Sequence, residues 1–106
     1  MARIISPAMD ETISGQVKFI GVADVPSFVY YKMQYETDLQ HIFDSANGTS
    51  SWGELYTSKT RVVDPGPLME WFTWTVDPGV YWLRLIVADS TGNYPDPCEV
   101  RVNVVR

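Results

Sequence analysis

One cysteine and one histidine stand in a chain of 106 residues, and several kinds of chemistry fall away with that shortage. A lone Cys98 forms no intrachain disulfide, and by itself it assigns the chain to neither an oxidising nor a reducing compartment. Its plainest role is that of a small, buried or half-buried apolar side chain. A structural zinc site needs four ligands, which Cys98 and His41 cannot supply between them. Basic residues are also few and scattered: Arg3, Lys18, Lys32, Lys59, Arg61, Arg84, Arg101 and Arg106 stand against thirteen acidic residues, for a net charge of -5 and a pI near 4.6. Nucleic acid binding needs a positive footprint, and so does adhesion to anionic membrane surfaces; neither has one here. No run approaches the roughly 18 continuous apolar residues of a membrane span, so direct membrane insertion is not expected. The G-x-G patterns of phosphate-cradling loops never occur, and there is no internal repeat. After Met1 and Arg3 the chain meets Pro7, Asp10 and Glu11 with no apolar segment of the kind a secretory leader carries. This is expected of a domain excised from a longer protein whose targeting sequence lies elsewhere.

What is present is a core and the punctuation of a sheet protein. Hydrophobic residues make up 45% and aromatic residues 13% of the chain, enough for one domain with a real interior and too short for two. Residues 1 to 12 read as a leader or a first strand, and 13 to 106 as the domain. In GQVKFIGVA, residues 15 to 23, Val17, Phe19 and Gly21 alternate against Lys18, Ile20 and Val22. Pro26 then breaks the pattern, because proline removes a donor and keeps Val25 out of helical space. In SFVYYKMQY, Val29, Tyr31, Met33 and Tyr35 share one face, with Tyr30, Lys32 and Gln34 on the other.

Residues 36 to 51 are the ambiguous part. Leu39, Ile42, Phe43 and Ala46 recur at helical spacing, which predicts a short helix over 38–46 with Thr37 or Asp38 capping its start and Asn47-Gly48 ending it. So short a helix must lean on the sheets. The rival reading is an irregular loop with an apolar anchor. WGELYTSKTRVV, from Trp52, reads as one or two edge strands guarded by Lys59 and Arg61. DPGP at 64 to 67 reads as a turn, LMEWFTWTV as a strand, and DPG at 77 to 79 as another turn. Tyr81, Leu83, Leu85 and Val87 then point one way, and Val80, Trp82, Arg84, Ile86 and Ala88 the other. DSTGN is a hairpin-like connection, and the last strand places Cys98, Val100, Val102 and Val104 inward. Six or seven strands of this kind predict an all-β, immunoglobulin-like two-sheet sandwich of about seven strands.

The order of these segments resembles the immunoglobulin-like, fibronectin type III-like accessory domains of bacterial extracytoplasmic proteins. The residues that carry the likeness are the G-x-V-x-F-x-G-x-A strand, V-Y-Y-K-M-Q-Y, Trp52, Leu68 and Trp71, V-D-P-G-V-Y-W-L-R-L, D-x-x-G-N and the valine-alternating last strand. It covers roughly residues 13 to 105. The resemblance implies that Val17, Phe19, Tyr31, Met33, Tyr35, Trp52, Trp71, Tyr81, Leu83, Leu85, Val87, Val100 and Val102 lie in or near the core, with Gly79 and Gly92 in turns. It also implies a non-catalytic spacer or protein-interaction module of a larger secreted or cell-envelope protein, with no cofactor and with neighbouring domains of that protein as partners. Residues 36 to 51 depart from the pattern, being longer than the loop usual there.

Each candidate site has a plainer alternative. Cys98, His41 and Asp44 compose a nucleophile, base and acid on paper, but nothing in their spacing brings them together; an ordinary surface histidine and a structural thiol are the expected roles. Asp24, Asp89, Asn93 and Asp96 fall on two loops expected at one end of the sandwich. Oxygen ligands there would suit calcium, although Asp and Asn are also turn formers. The aromatic surface is the stronger candidate. Phe28, Tyr30, Trp74, Trp82, Arg84 and Ile86 are expected to face outward, where they would meet another domain or a homodimer partner. Trp82, Trp74 and Tyr30 could instead form a carbohydrate- or cell-wall-binding platform. The plain alternative is that the 38–46 helix or a loop folds over this face.

Overall fold

Strict alternation builds the centre of the molecule, seen in a computed structural model that describes residues 1–92 and 96–106. Among the described residues eight strands follow one another: β1 (Ala2–Ser6), β2 (Glu11–Ile13), β3 (Gln16–Ala23), β4 (Phe28–Thr37), β5 (Gly53–Ser58), β6 (Val62–Phe72), β7 (Gly79–Asp89) and β8 (Cys98–Val104), with one helix, α1 (Asp38–Asn47), after β4. They form two sheets, β1-β3-β6 and β2-β8-β7-β4-β5. Every pairing is antiparallel except β2 with β8. Tyr81, Leu83, Leu85 and Val87 of β7 are buried between the sheets with Tyr31 and Met33 of β4 and Val100, Val102 and Val104 of β8. Phe19 and Ala23 of β3 and Leu68 and Trp71 of β6 close the core from the other side. Trp71 ties the layers together, since its ring meets Phe19 of its own sheet and both Tyr35 and Tyr81 of the opposite one. The Tyr31 hydroxyl donates across the core to the Leu68 carbonyl. This is the sandwich expected from the alternation, with eight strands rather than about seven.

Several local expectations are corrected. DPGP is not a turn: Asp64 to Pro67 run inside β6, with Pro67 opposite Ile20 and Gly66 opposite Gly21. The prolines are tolerated because β6 is an edge strand with β3 as its one neighbour, so their missing donors face no ladder. In β4 the register shifts between Phe28 and Tyr30. The extra residue leaves Val29 exposed and turns Phe28 against the core, the reverse of plain alternation. Residues 2–6, read as part of a leader or a first strand, form a strand of the three-stranded sheet, and Ile4 packs against the core. Gly21 lets β1 lie this close: a Cβ there would stand 2.0 Å from the Arg3 carbonyl oxygen.

Candidate functional site: a helix-covered face of the five-stranded sheet

The outer face of the five-stranded sheet is built in rows set by register. Gln34 of β4 lies opposite Arg84 of β7, which lies opposite Glu99 of β8. The next row runs Glu36, Trp82 and Arg101. Arg84 donates from Nε to Gln34 Oε1 at 2.7 Å, and Gln34 Nε2 donates to Glu54 at 2.7 Å. The Arg84 guanidinium sits 4.4 Å from the centroid of the Trp52 ring. Trp52 therefore belongs to this outer face, not to the core that the resemblance implied. Its place is fixed by the tight chain between α1 and β5.

α1 lies across these rows with an inverted amphipathic face. Thr37 caps it by accepting from the Gln40 amide at 3.1 Å, and Gly48 ends it in a left-handed conformation. The helix was expected over 38–46, with Leu39, Ile42 and Phe43 as its buried stripe. Instead these three are 81%, 57% and 58% exposed. The polar stripe Asp38, His41 and Asp44, at three-residue spacing, faces the sheet. Trp82 Nε1 donates to Asp38 Oδ1 at 2.9 Å. The His41 ring stacks on Trp82 with centroids 4.3 Å apart and meets Trp52 edge-on at 5.8 Å. Its Nδ1 is 2.7 Å from Glu36 Oε1, and its Nε2 is 3.9 Å from Glu99 Oε1. His41 is thus a clamped residue between two indoles rather than an ordinary surface histidine.

Beneath the helix two carboxyl groups are buried, Glu36 at 4% exposure and Asp44 at 5%. Asp44 Oδ1 accepts from Thr49, Gln40 and Ser51, and the bond from Thr49, above all, holds its pKa below the usual carboxylate value. Burial pushes Glu36 the other way, above its usual value, against the opposing pull of the His41 hydrogen bond; neighbouring Asp44 adds to the rise. The second oxygens, Glu36 Oε2 and Asp44 Oδ2, are both buried and meet no donor.

The architecture now has a known counterpart. No family model matches the chain, and no curated protein matches it. Among solved structures it is similar to the fibronectin(III)-like modules of Clostridium thermocellum CbhA, with a TM-score of 0.64 at 13% sequence identity, over 98% of this chain and 95% of that one. The fold is fibronectin type III-like. On this fibronectin type III-like sandwich the six surface candidates separate. Trp82 and Arg84 lie on the outer face but under α1 or its following loop. Ile86 is on the same face and buried, with 8% exposure, and Tyr30 is half-buried beside Lys32, whose ammonium is 5.6 Å from its ring centroid. Phe28 is turned to the core by the bulge. Trp74 stands apart in a single 3-10 turn, Thr73–Thr75, exposed and packed against Phe72 with ring centroids 5.1 Å apart.

The remaining candidates are also dispersed. Ser90 N donates to the Ser27 carbonyl, so the two loops proposed for calcium do share one end. Asp24, however, pairs with Arg61 at 2.7 Å and Asp89 caps Thr91, while Asn93 lies outside the described residues. Among the described residues no group of three or more potential ligands could hold a metal. Cys98 Sγ accepts from the Ile4 amide and packs toward the core, across the sheet from His41. Glu36 and the sheet-facing roles of Asp38 and His41 were missed by the sequence reading, which places Gln34 on the outer face. The signal for those roles lay in the 38-41-44 spacing, as regular as that of Leu39, Ile42 and Phe43.

Proposed function

We propose that this chain is a non-catalytic accessory module of a larger extracytoplasmic protein, and that it docks a protein partner through the outward face of α1. The observation that carries this reading is the exposed stripe Leu39, Ile42 and Phe43, on a helix whose polar side is already held down. An apolar stripe on a tethered helix leaves interface-forming residues in water at a cost that a partner removes. The stripe continues into a cleft of about 390 Å³ lined by Leu39, Pro78, Val80 and Tyr81, whose charged lining residues are Asp38 and Asp77. Acidic groups beside an apolar cleft favour a partner segment that sets Lys or Arg next to an apolar anchor. The likeness to structures described as modules supports the accessory role, and the resemblance to accessory domains of extracytoplasmic proteins supports a site outside the cytoplasm. The separation of the one thiol from the one imidazole supports a role without catalysis.

The test is selection of a displayed random-peptide library on the chain, after depletion on the Ile42→Asp/Phe43→Asp variant. Recovered peptides should combine apolar and basic residues and bind the wild type alone. Peptides that bind both forms alike, or no enrichment at all, overturn the reading. Light scattering across a dilution series identifies a second copy of the chain as the occupant if a dimer forms and the variant abolishes it.

A second reading, sugar binding, is favoured by the Phe72–Trp74 pair, two adjacent exposed rings on which a sugar face can stack. Glycan-array binding lost on Trp74→Ala would support it, and an unchanged or blank array would end it.

A further inference from the structure

We propose that one proton shared between Glu36 and Asp44 latches α1 over the Trp52–Trp82–Arg84 face, and that loss of this proton frees the helix. The latch is a property of the free chain and does not depend on the partner proposed above.

Two buried carboxyl oxygens without donors are costly, and Glu36 and Asp44, which interact side chain to side chain under α1, repel each other when both are ionised. A single proton removes both penalties. Glu36 as the acid donates from Oε2 to Asp44 Oδ2, and its Oε1 accepts from His41 Nδ1. Asp44 stays ionised, because its other oxygen already accepts from Thr49, Gln40 and Ser51. The chain of bonds therefore runs from an indole-clamped imidazole, through a neutral acid, to a carboxylate at the far end of the helix. Other titratable and charged groups facing the site are Asp38 and His41 on α1, Arg84 on β7, Glu99 and Arg101 on β8, and Glu54 on β5. Of these, Glu99, an anion, stands 3.9 Å from His41 Nε2. Ionising Glu36 thus adds negative charge to a site already rich in it, and the proton leaves to solvent.

The signs follow from the two opposite shifts. Glu36, raised, stabilises docking below its unfolded pKa, and that contribution disappears as pH rises through the folded value. Asp44, lowered, stabilises docking above its unfolded pKa and loses that effect as pH falls through its folded value. Docking is therefore tightest between the unfolded value of Asp44 and that of Glu36, and it weakens on the alkaline side, as pH rises from the unfolded to the folded value of Glu36, by release of one proton.

The experiment is NMR on the whole chain: side-chain carboxyl ¹³C titration of Glu36 and Asp44, with hydrogen exchange of the Trp82 indole as the reporter of docking. Glu36 should titrate above the ordinary range and Asp44 below it. Between the undocked and the docked pKa of Glu36, the docking equilibrium should fall about tenfold per pH unit, and it should level off above the docked value. Glu36→Gln replaces the shared proton with a permanent amide donor and should hold Trp82 protected across the range. Asp44→Asn supplies the amide from the other side and should do the same, which keeps the test informative if one variant folds poorly. The proposal is overturned if Glu36 titrates as an ordinary glutamate, if Trp82 stays protected after Glu36 ionises, or if the variants keep the wild-type transition. If neither variant folds, the wild-type titration alone decides between these outcomes.

Discussion

Single side chains in this sandwich act mostly as ties between layers. Tyr31 reaches across the core with its hydroxyl, so Tyr31→Phe deletes a buried hydrogen bond and leaves the Leu68 carbonyl short of a partner. The expected loss is about 1 kcal/mol by denaturant titration, the usual net worth of such a bond. Phe19 has no solvent exposure and packs edge-on to Trp71. Phe19→Ala should cost about 3–5 kcal/mol in the same measurement, because the interior cannot collapse onto so large a void. Gly21 is a steric matter. Its missing Cβ is the space through which Arg3 passes, so Gly21→Ala must part β1 from β3 and lower the melting temperature. A melting temperature equal to wild type would refute that account of the close approach. The burial of Phe19, Leu83 and Val102 was legible in the sequence, since alternation assigns a face without knowledge of neighbours. That His41 is clamped was not: the two indoles reach it from residues 52 and 82, and no local pattern reports such distances.

Elements show where periodicity is sufficient and where it is ambiguous. For β8 one phase puts apolar residues inward and the other is polar, whereas in β7 Arg84 alone marks a second phase that is otherwise Val80, Trp82, Ile86 and Ala88. For α1 the period was right and the phase was wrong. Leu39, Ile42 and Phe43 make one helical stripe and Asp38, His41 and Asp44 another, and a sequence rule chooses the apolar one for burial. The sheet face under the helix overrides this choice, because it presents Glu36, Arg84, Trp52 and Trp82, which are polar or carry a polar edge. A helix of this length has little stability of its own, so its cap matters. Thr37→Ala should loosen α1 by about 1 kcal/mol. The change should appear as faster exchange at the Trp82 indole while the global melting curve moves less; an unchanged indole would mean that the tertiary contacts alone hold the helix. β6 gives the complementary case. Its Pro-Gly-Pro stretch has the composition of a turn, yet an edge strand with one neighbour accommodates it.

At the scale of the whole molecule, the opening segment joins both sheets, with β1 along β3 and β2 along β8. Removing residues 1–9 should unpair one edge of β3, expose the interior beside Ile4 and Cys98, and lower the denaturation midpoint. A truncated chain as stable as the full one would make residues 2–6 an ornament of the fold rather than a part of its core. The acidic balance of the whole chain bears on partners: a surface at -5 repels its own copies and nucleic acid alike, and attracts a basic segment to the cleft beside α1.

By itself the sequence determined the class of fold and the inward faces of β3, β7 and β8, and it offered the spacing and caps of the helix beside the rival reading of an irregular loop. These rest on alternation, turn chemistry and capping, which act over a few neighbouring residues. Tertiary structure alone decided which stripe of the helix meets the sheet, that Trp52 and Trp82 enclose His41, that Trp74 stands apart from them, and that Glu36 and Asp44 are buried together. Those outcomes depend on register between strands far apart in the chain and on which groups a sheet face offers to whatever covers it. Local periodicity carries neither.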